Sequence, residues 1–387
     1  MENKSSMLSN PQEFVDYVNK ETQKVLEMFS ATGGDDIMSS FTQSWTELAT
    51  RSWEDPSVWV RAIADYQTSQ LNLWRNLLTG NAAQNPVVEP ARGDRRFAAD
   101  EWSQNPVFDY IKQSYLLTSN LLNEMASNAN LNDNQQKQLE FYTQQYIDAM
   151  SPTNFAVTNP EVLQQALETK GESLVNGLKN LLGDIDKGRI SMTDESAFTL
   201  GENLATTEGS VIFENDMFQL LHYKPTCEQI AERPTLIVPP CINKFYILDL
   251  QPHNSFVKYC VDQGQNTFLV SWKNPSVDES HISWDDYVGN GVLKAVEVVN
   301  TVAGTDKLNA VAWCIGGTIL STSLAVLAAR KQNPVASATF LTTLTDFTDP
   351  GDLCVFLDDQ QIKRMESKIS NDGVLHGREL ATAFSML

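Results

Sequence analysis

LNAVAWCIGGTILSTSLAVL, residues 308–327, is the stretch from which the rest of the chain can be read, because its periodicity changes at a cysteine. Residues 309–313 read as a short buried strand, and the small and aliphatic residues from Thr318 onward suit a helix packed on a sheet. Cys314 then sits on the turn between them. Gly316 and Gly317 let the backbone bend and let the helix pass close to the strand, so Cys314 projects from a strained strand-to-helix corner. The pattern is that of G-x-S-x-G with sulfur in place of oxygen and with Ala312 at the first glycine position. The run 308–329 also carries no charge, and a bilayer span needs only about 20 apolar residues. Asn309, the glycine pair, Thr318, Ser321, Thr322 and Ser323 make it a poor span, and a buried strand followed by a buried helix has the same hydropathy. A free cysteine in such a core can equally be a small hydrophobe. The stretch alone therefore leaves Cys314 open between nucleophile and packing residue.

The 387 residues, 42% hydrophobic and 20% charged, are enough for a substantial core and for two domains. A formal net charge of −21 lacks the basic footprint of a general nucleic-acid binder. The five cysteines, at 227, 241, 260, 314 and 354, are odd in number and show no C-x-x-C spacing, which points to neither a disulfide framework nor a zinc site. The opening MENKSSMLSNPQEF has no apolar core of a signal peptide, so the reducing cytoplasm is the default location.

Residues 12–190 look helical almost throughout. Trp59, Ile63, Tyr66, Leu73 and Leu77 recur at helical spacing, and Phe108, Ile111, Tyr115, Leu122 and Met125 repeat the pattern after a break around Pro86 and Pro90. Near Asp194 the pattern turns to alternation. Residues 211–214 and 218–223, separated by Asn215 and Asp216, predict an antiparallel hairpin. Residues 235–238, 267–271, 309–313 and 338–345 predict further strands, with a helix over 284–302. Strands alternating with helices imply a mainly parallel sheet covered on both faces. The expectation is an α/β chain: an all-helical domain over 1–195, then an incomplete α/β-hydrolase-type sheet over 196–387.

At this level of detail the motifs resemble a family. VPPCINKFYILDLQP (238–252), SWKNP (271–275), WDDYV (284–288), AWCIGGT (312–318) and TLTDFTDPGDL (343–353) are similar to the class I polyhydroxyalkanoate synthases. In the helical part DRRFAADEW (94–102), QSYLL (113–117) and TNPEVL (158–163) resemble that family's N-terminal domain. The resemblance runs from about residue 50 onward. It implies an acyltransferase that polymerises (R)-3-hydroxyacyl-CoA into polyester with release of CoA, and it implies no cofactor. Cys314 would be the nucleophile, since a thiolate attacks a thioester well and the resulting thioester stays reactive toward the next hydroxyl. The Ile315 N–H would be one oxyanion donor and Ile242, after the 235–238 strand, the second. Cys241 reads as a lining residue. The implied partners are the acyl-CoA, the polyester granule surface with its associated proteins, and a second copy of the chain; the implied location is cytoplasmic, at granules.

The departures carry weight as well. A cysteine triad needs a histidine and an acid, and in this fold order both follow the nucleophile. His222, His253 and His281 precede Cys314, His376 lies where the family begins its cap, and Asp346 reads better as a turn residue than as the acid. The last residues read as a helix without a stop signal, so the expectation is a chain cut within the catalytic domain and without sustained turnover. A cysteine-elbow thioesterase and a noncatalytic granule-binding module are the alternatives.

Overall fold

Val238, where a four-residue strand runs into two prolines, shows how the sheet is built. The computed structural model describes residues 57–79, 85–129, 131–187, 191–356 and 359–375, with 377, 380 and 381. The chain divides into two compact units between Met192 and Thr193.

In the second unit β1 (Gly209–Glu214) and β2 (Phe218–Tyr223) form the hairpin that the Asn215-Asp216 turn predicts. After β3 (Thr235–Val238) comes a small two-stranded ribbon, β4 (Asp249–Gln251) with β5 (Asn254–Ser255), which the sequence reading missed. Then follow β6 (Thr267–Trp272), β7 (Leu308–Trp313) and β8 (Val335–Leu341). The main sheet has the order β1-β2-β6-β3-β7-β8. The pairs β6/β3, β3/β7 and β7/β8 are parallel, and β2 joins β6 antiparallel. All four residues of β3 are buried, as a strand covered on both faces requires. Alternation sends Leu236 and Val238 to one face with Phe268, Val270, Leu308, Ala310 and Ala312. Ile237 and Leu269 go to the other face with Val257, Cys260 and Val261.

Helices cover both faces. Phe256–Asp262 lies over the second face, with Val257, Cys260 and Val261 buried. The first is covered by a helical run over 284–303 and by Ile315–Ala329. The 284–303 run is not uniform: its middle, Tyr287–Leu293, is π-wound, where glycines 289 and 291 weaken the α preference. Two expectations need correction. The elbow helix begins at Ile315, immediately after the cysteine, and not at Thr318. The last strand is Val335–Leu341 and not 338–345, because Thr342 takes a left-handed φ of 46° that ends the ladder.

The first unit is helical: Ser57–Thr79, Glu101–Gln104, Pro106–Ser127, Asp133–Ala149, Pro160–Glu168 and Glu172–Lys187. Asn105, Asn132 and Asn159 each cap a helix by accepting from backbone N–H groups of the first turn. The DRRFAADEW motif is accounted for by packing. Trp102 is fully buried and meets Phe97 edge-on at 5.0 Å, while Arg96 pairs with Asp94 at 2.9 Å and Asp148 at 2.7 Å. In the Pro106–Ser127 helix the buried face includes a polar set. Asp109 pairs with Lys112 at 2.9 Å and accepts from Gln113, whose own oxygen takes the Val87 N–H at 2.7 Å.

Candidate active site

The parallel strands β3, β7 and β8 end on one edge of the sheet, and the residues that follow them converge there. After β7 the chain turns at Cys314, with φ 51° and ψ −128°, straight into Ile315–Ala329. For a residue with a side chain such a conformation costs about 1–3 kcal/mol and persists only where surrounding contacts hold it. Those contacts are present. The Cys314 N–H donates to Leu341 at the end of β8 at 2.9 Å, and its carbonyl accepts from Gly317 at 2.8 Å. The two glycines are required by close approach: a Cβ at 316 would stand 2.5 Å from the Val238 and Pro239 carbonyl oxygens, and one at 317 would run into the Thr343 side chain. Thr318 Oγ1 donates to the Leu344 carbonyl at 2.8 Å, which ties the loop after β8 to the same helix.

Cys314 opens on a cleft of about 480 Å³, a volume in the range of small-molecule sites. Pro240, Ile242 and Asn243 form one wall, Trp313 and Phe256 another, and Thr342 a third. Trp313 and Phe256 meet edge-on at 6.1 Å. The structure thus brings together Cys314, Ile315 and Ile242, the three residues singled out from sequence. Among the described residues the Ile315 and Ile242 amides meet no protein acceptor. The Ile315 amide sits in the first turn of a helix, where the dipole favours negative charge. The Ile242 side chain is 43% exposed, so its place in the cleft wall owes nothing to core packing.

Cys241 differs in environment. Burial and the neighbouring Cys314 sulfur push its thiol up to about 11, so it stays protonated near neutral pH. It packs against the sheet core. Among the described residues no histidine lines the cleft. His222 is committed elsewhere, stacked on Phe268 at 4.2 Å with Nε2 against Asn266 Oδ1 at 2.9 Å. His376 lies outside the described residues. Asp346 is solvent-exposed and its carboxylate accepts from the Thr348 N–H at 3.0 Å and from the Thr348 hydroxyl, which holds its pKa below the usual value; it makes a turn and does not line the cleft.

Sequence reasoning missed Thr342, Phe256 and Trp272. Thr342 was hidden inside an expected strand. Phe256 opens a helix that follows a short ribbon without clear periodicity. Trp272, which ends β6, donates its indole N–H to the Pro239 carbonyl at 2.9 Å in a buried hydrogen bond, and only the SWKNP motif hinted at a role for it. The next residue of that motif, Lys273, pairs with Glu279. Glu279 also accepts from Ser276, and these contacts hold its carboxyl down at about 2.

A mainly parallel sheet with a cysteine on a left-handed strand-to-helix corner defines an α/β protein with a sharp elbow after its β7 strand. Comparison with known proteins narrows this. The family model described as "Poly-beta-hydroxybutyrate polymerase (PhaC) N-terminus" matches residues 93–260. The chain is 46% identical over 320 residues to the poly(3-hydroxyalkanoate) polymerase subunit PhaC of Cupriavidus necator, covering 81% of this chain and 54% of that protein. It is 42% identical over 357 residues to the poly(3-hydroxyalkanoate) polymerase of Methylorubrum extorquens, covering 90% and 59%. With the Rhizobium meliloti subunit PhaC it shares 39% over 360 residues, covering 90% and 58%. The chain belongs to the poly(3-hydroxyalkanoate) polymerase family, and it spans a little over half the length of these relatives. Among the described residues no helix is long and apolar enough to cross a membrane, and the uncharged run 308–329 is divided between β7 and the elbow helix.

Proposed function

We propose that this chain carries the acyl-accepting half-site of a polyhydroxyalkanoate synthase, with Cys314 as the nucleophile and (R)-3-hydroxyacyl-CoA as the acyl donor. The observation that supports the reading is the left-handed corner at Cys314, which shares one cleft with Ile242, together with the Ile315 and Ile242 amides, which meet no protein acceptor among the described residues. In the step so supported, the Cys314 thiolate adds to the thioester carbonyl and the oxyanion forms between the two amides. The carbonyl then re-forms, the C–S bond to CoA breaks, and CoA leaves with the electron pair as its thiolate. The hydroxyacyl group stays on Cys314 as a thioester, ready for attack by a second hydroxyl. Deprotonating that hydroxyl needs a base, and among the described residues no imidazole lines the cleft. Acylation, run on the thiolate formed as the Cys314 thiol loses its proton to solvent, is the step proposed for these residues. Membership of a polymer-forming family supports a place for the protein at polyester granules.

The test is incubation with (R)-3-hydroxybutyryl-CoA, reading CoA release and intact mass together. About one equivalent of CoA with one hydroxybutyryl group on the protein is expected, abolished in Cys314→Ala and retained in Cys241→Ala. Equal losses in the two folded variants would assign the wrong cysteine. Rapid release of free 3-hydroxybutyrate would favour a thioesterase.

A further inference from the structure

The turn that carries the Ile242 amide has little means of holding itself. Neither Pro239 nor Pro240 has an N–H to donate, so the entry to the turn is anchored only through its carbonyls. The Pro240 carbonyl takes a long bond from Asn243 at 3.4 Å. The Pro239 carbonyl takes the indole N–H of Trp272 at 2.9 Å, and among the described residues no other donor reaches it. The ring itself is held on three sides. Phe218 lies at 6.1 Å and Tyr287 at 5.4 Å, and Gly291 backs it so closely that a Cβ there would come within 2.9 Å of the six-membered ring. Gly291 belongs to the π-wound segment Tyr287–Leu293, a local departure of the kind that often marks functional sites. On its other side the Val238–Pro239 backbone is pressed against Gly316 of the elbow helix.

We propose that Trp272 is a positioning residue for the acyl-transfer site: the π-wound segment holds its ring, its N–H fixes the Pro239 carbonyl, and the Ile242 amide is thereby set opposite the Cys314 sulfur. The inference rests on the reading of Ile242 as an oxyanion donor. The structural part of it, that Trp272 orders the turn, is measurable without any activity.

Two variants test it. One carries β-(3-benzothienyl)alanine at 272, which keeps the bicyclic shape and replaces the N–H by sulfur; the other is Trp272→Phe. Hydrogen exchange of the amides at 241–244 is expected to quicken about tenfold in both, with β3, β6 and β7 unchanged. Unchanged exchange at 241–244 overturns the inference, and so does an equal increase throughout the sheet, which would mean general loosening. The second readout compares two reactions of Cys314. Acylation by (R)-3-hydroxybutyryl-CoA builds an oxyanion, whereas alkylation by iodoacetamide does not. Acylation is expected to slow about tenfold, less than the roughly 10²–10³ lost when a donor is removed outright, with alkylation unaltered. Parallel slowing of both reactions overturns the positioning role. A Cys314 that alkylates but accepts no acyl group even in the unaltered protein defeats the proposed function, while the exchange data still decide the role of Trp272.

Discussion

Cys241 and Cys314 leave neighbouring parallel strands, yet their backbones and surroundings separate their chemistry. Cys314 sits at φ 51° over an open cleft. Cys241 is half-buried, and its thiol is raised to about 11 from an ordinary 9, as is that of Cys260. Between those values the unfolded chain has released protons that the folded chain still binds. The stability these two thiols lend is thus fully present below pH about 9 and is lost as pH rises through about 11. Tyr223, raised above the ordinary value by burial and by Asp249, acts in the same direction at higher pH. Urea midpoints measured across this window are expected to fall, and to fall less in Cys260→Ala; a flat profile would show these thiols to be as exposed as in the unfolded chain. At this scale the sequence was informative about the backbone around Cys314, because the glycine pair at 316 and 317 signals a helix passing close to the strand. It hinted at Trp272 only through the SWKNP motif and was silent on its partner, the Pro239 carbonyl 33 residues away.

Among the elements, the elbow helix is the one whose start is set by sterics and not by propensity. Gly316 faces two backbone oxygens, which cannot rotate away, whereas Gly317 faces the side chain of Thr343, which can be removed. Gly316→Ala and Gly317→Ala are each expected to destabilise the second unit by about 1–3 kcal/mol, the usual cost of overpacking. Adding Thr343→Ala, which removes the two nearer atoms and leaves a Cβ 2.8 Å away, should restore part of the loss in Gly317→Ala and none in Gly316→Ala. Urea unfolding of the four variants checks this, and equal rescue of both would mean that the backbone at Pro239 yields more readily than its packing implies. The same physics explains which strand limits could be read. The ends of β3 and β1 were legible because Pro239-Pro240 and Asn215-Asp216 stop or turn a strand chemically. The end of β8 was not. Threonines at 342, 343 and 345 favour a strand locally, and the left-handed Thr342 follows from the need to bring Thr343 and Leu344 onto the elbow helix.

At the scale of the whole molecule, the division between Met192 and Thr193 separates a helical unit from the sheet, close to the change of pattern near Asp194. The helical stripes were only partly legible. Phe108 and Tyr115 pack with Phe97 and Trp102, but the buried face of Pro106–Ser127 runs through Lys112, Gln113, Leu116 and Leu117, because Asp109 and Gln113 satisfy one another inside. On Ser57–Thr79, Leu73 is fully buried, whereas Leu71, Trp74 and Leu78 are 70%, 51% and 80% exposed at spacings of three and four, on one side of the helix. An apolar row of this kind usually marks a surface that meets something else. We propose that residues 1–192 fold on their own and that this row contributes to contact with the polyester surface. Expressed alone, the segment is expected to give a helical circular dichroism spectrum with a cooperative melt and to sediment with poly-3-hydroxybutyrate particles. Leu71→Glu combined with Leu78→Glu should lower sedimentation severalfold without shifting the melt, since both side chains are mostly in water already. Asp109→Ala, which strands Lys112 in the interior, should do the reverse and cost about 3–5 kcal/mol of stability. An unfolded segment would remove the domain reading, and a folded one whose binding survives the double substitution would place the contact on another face.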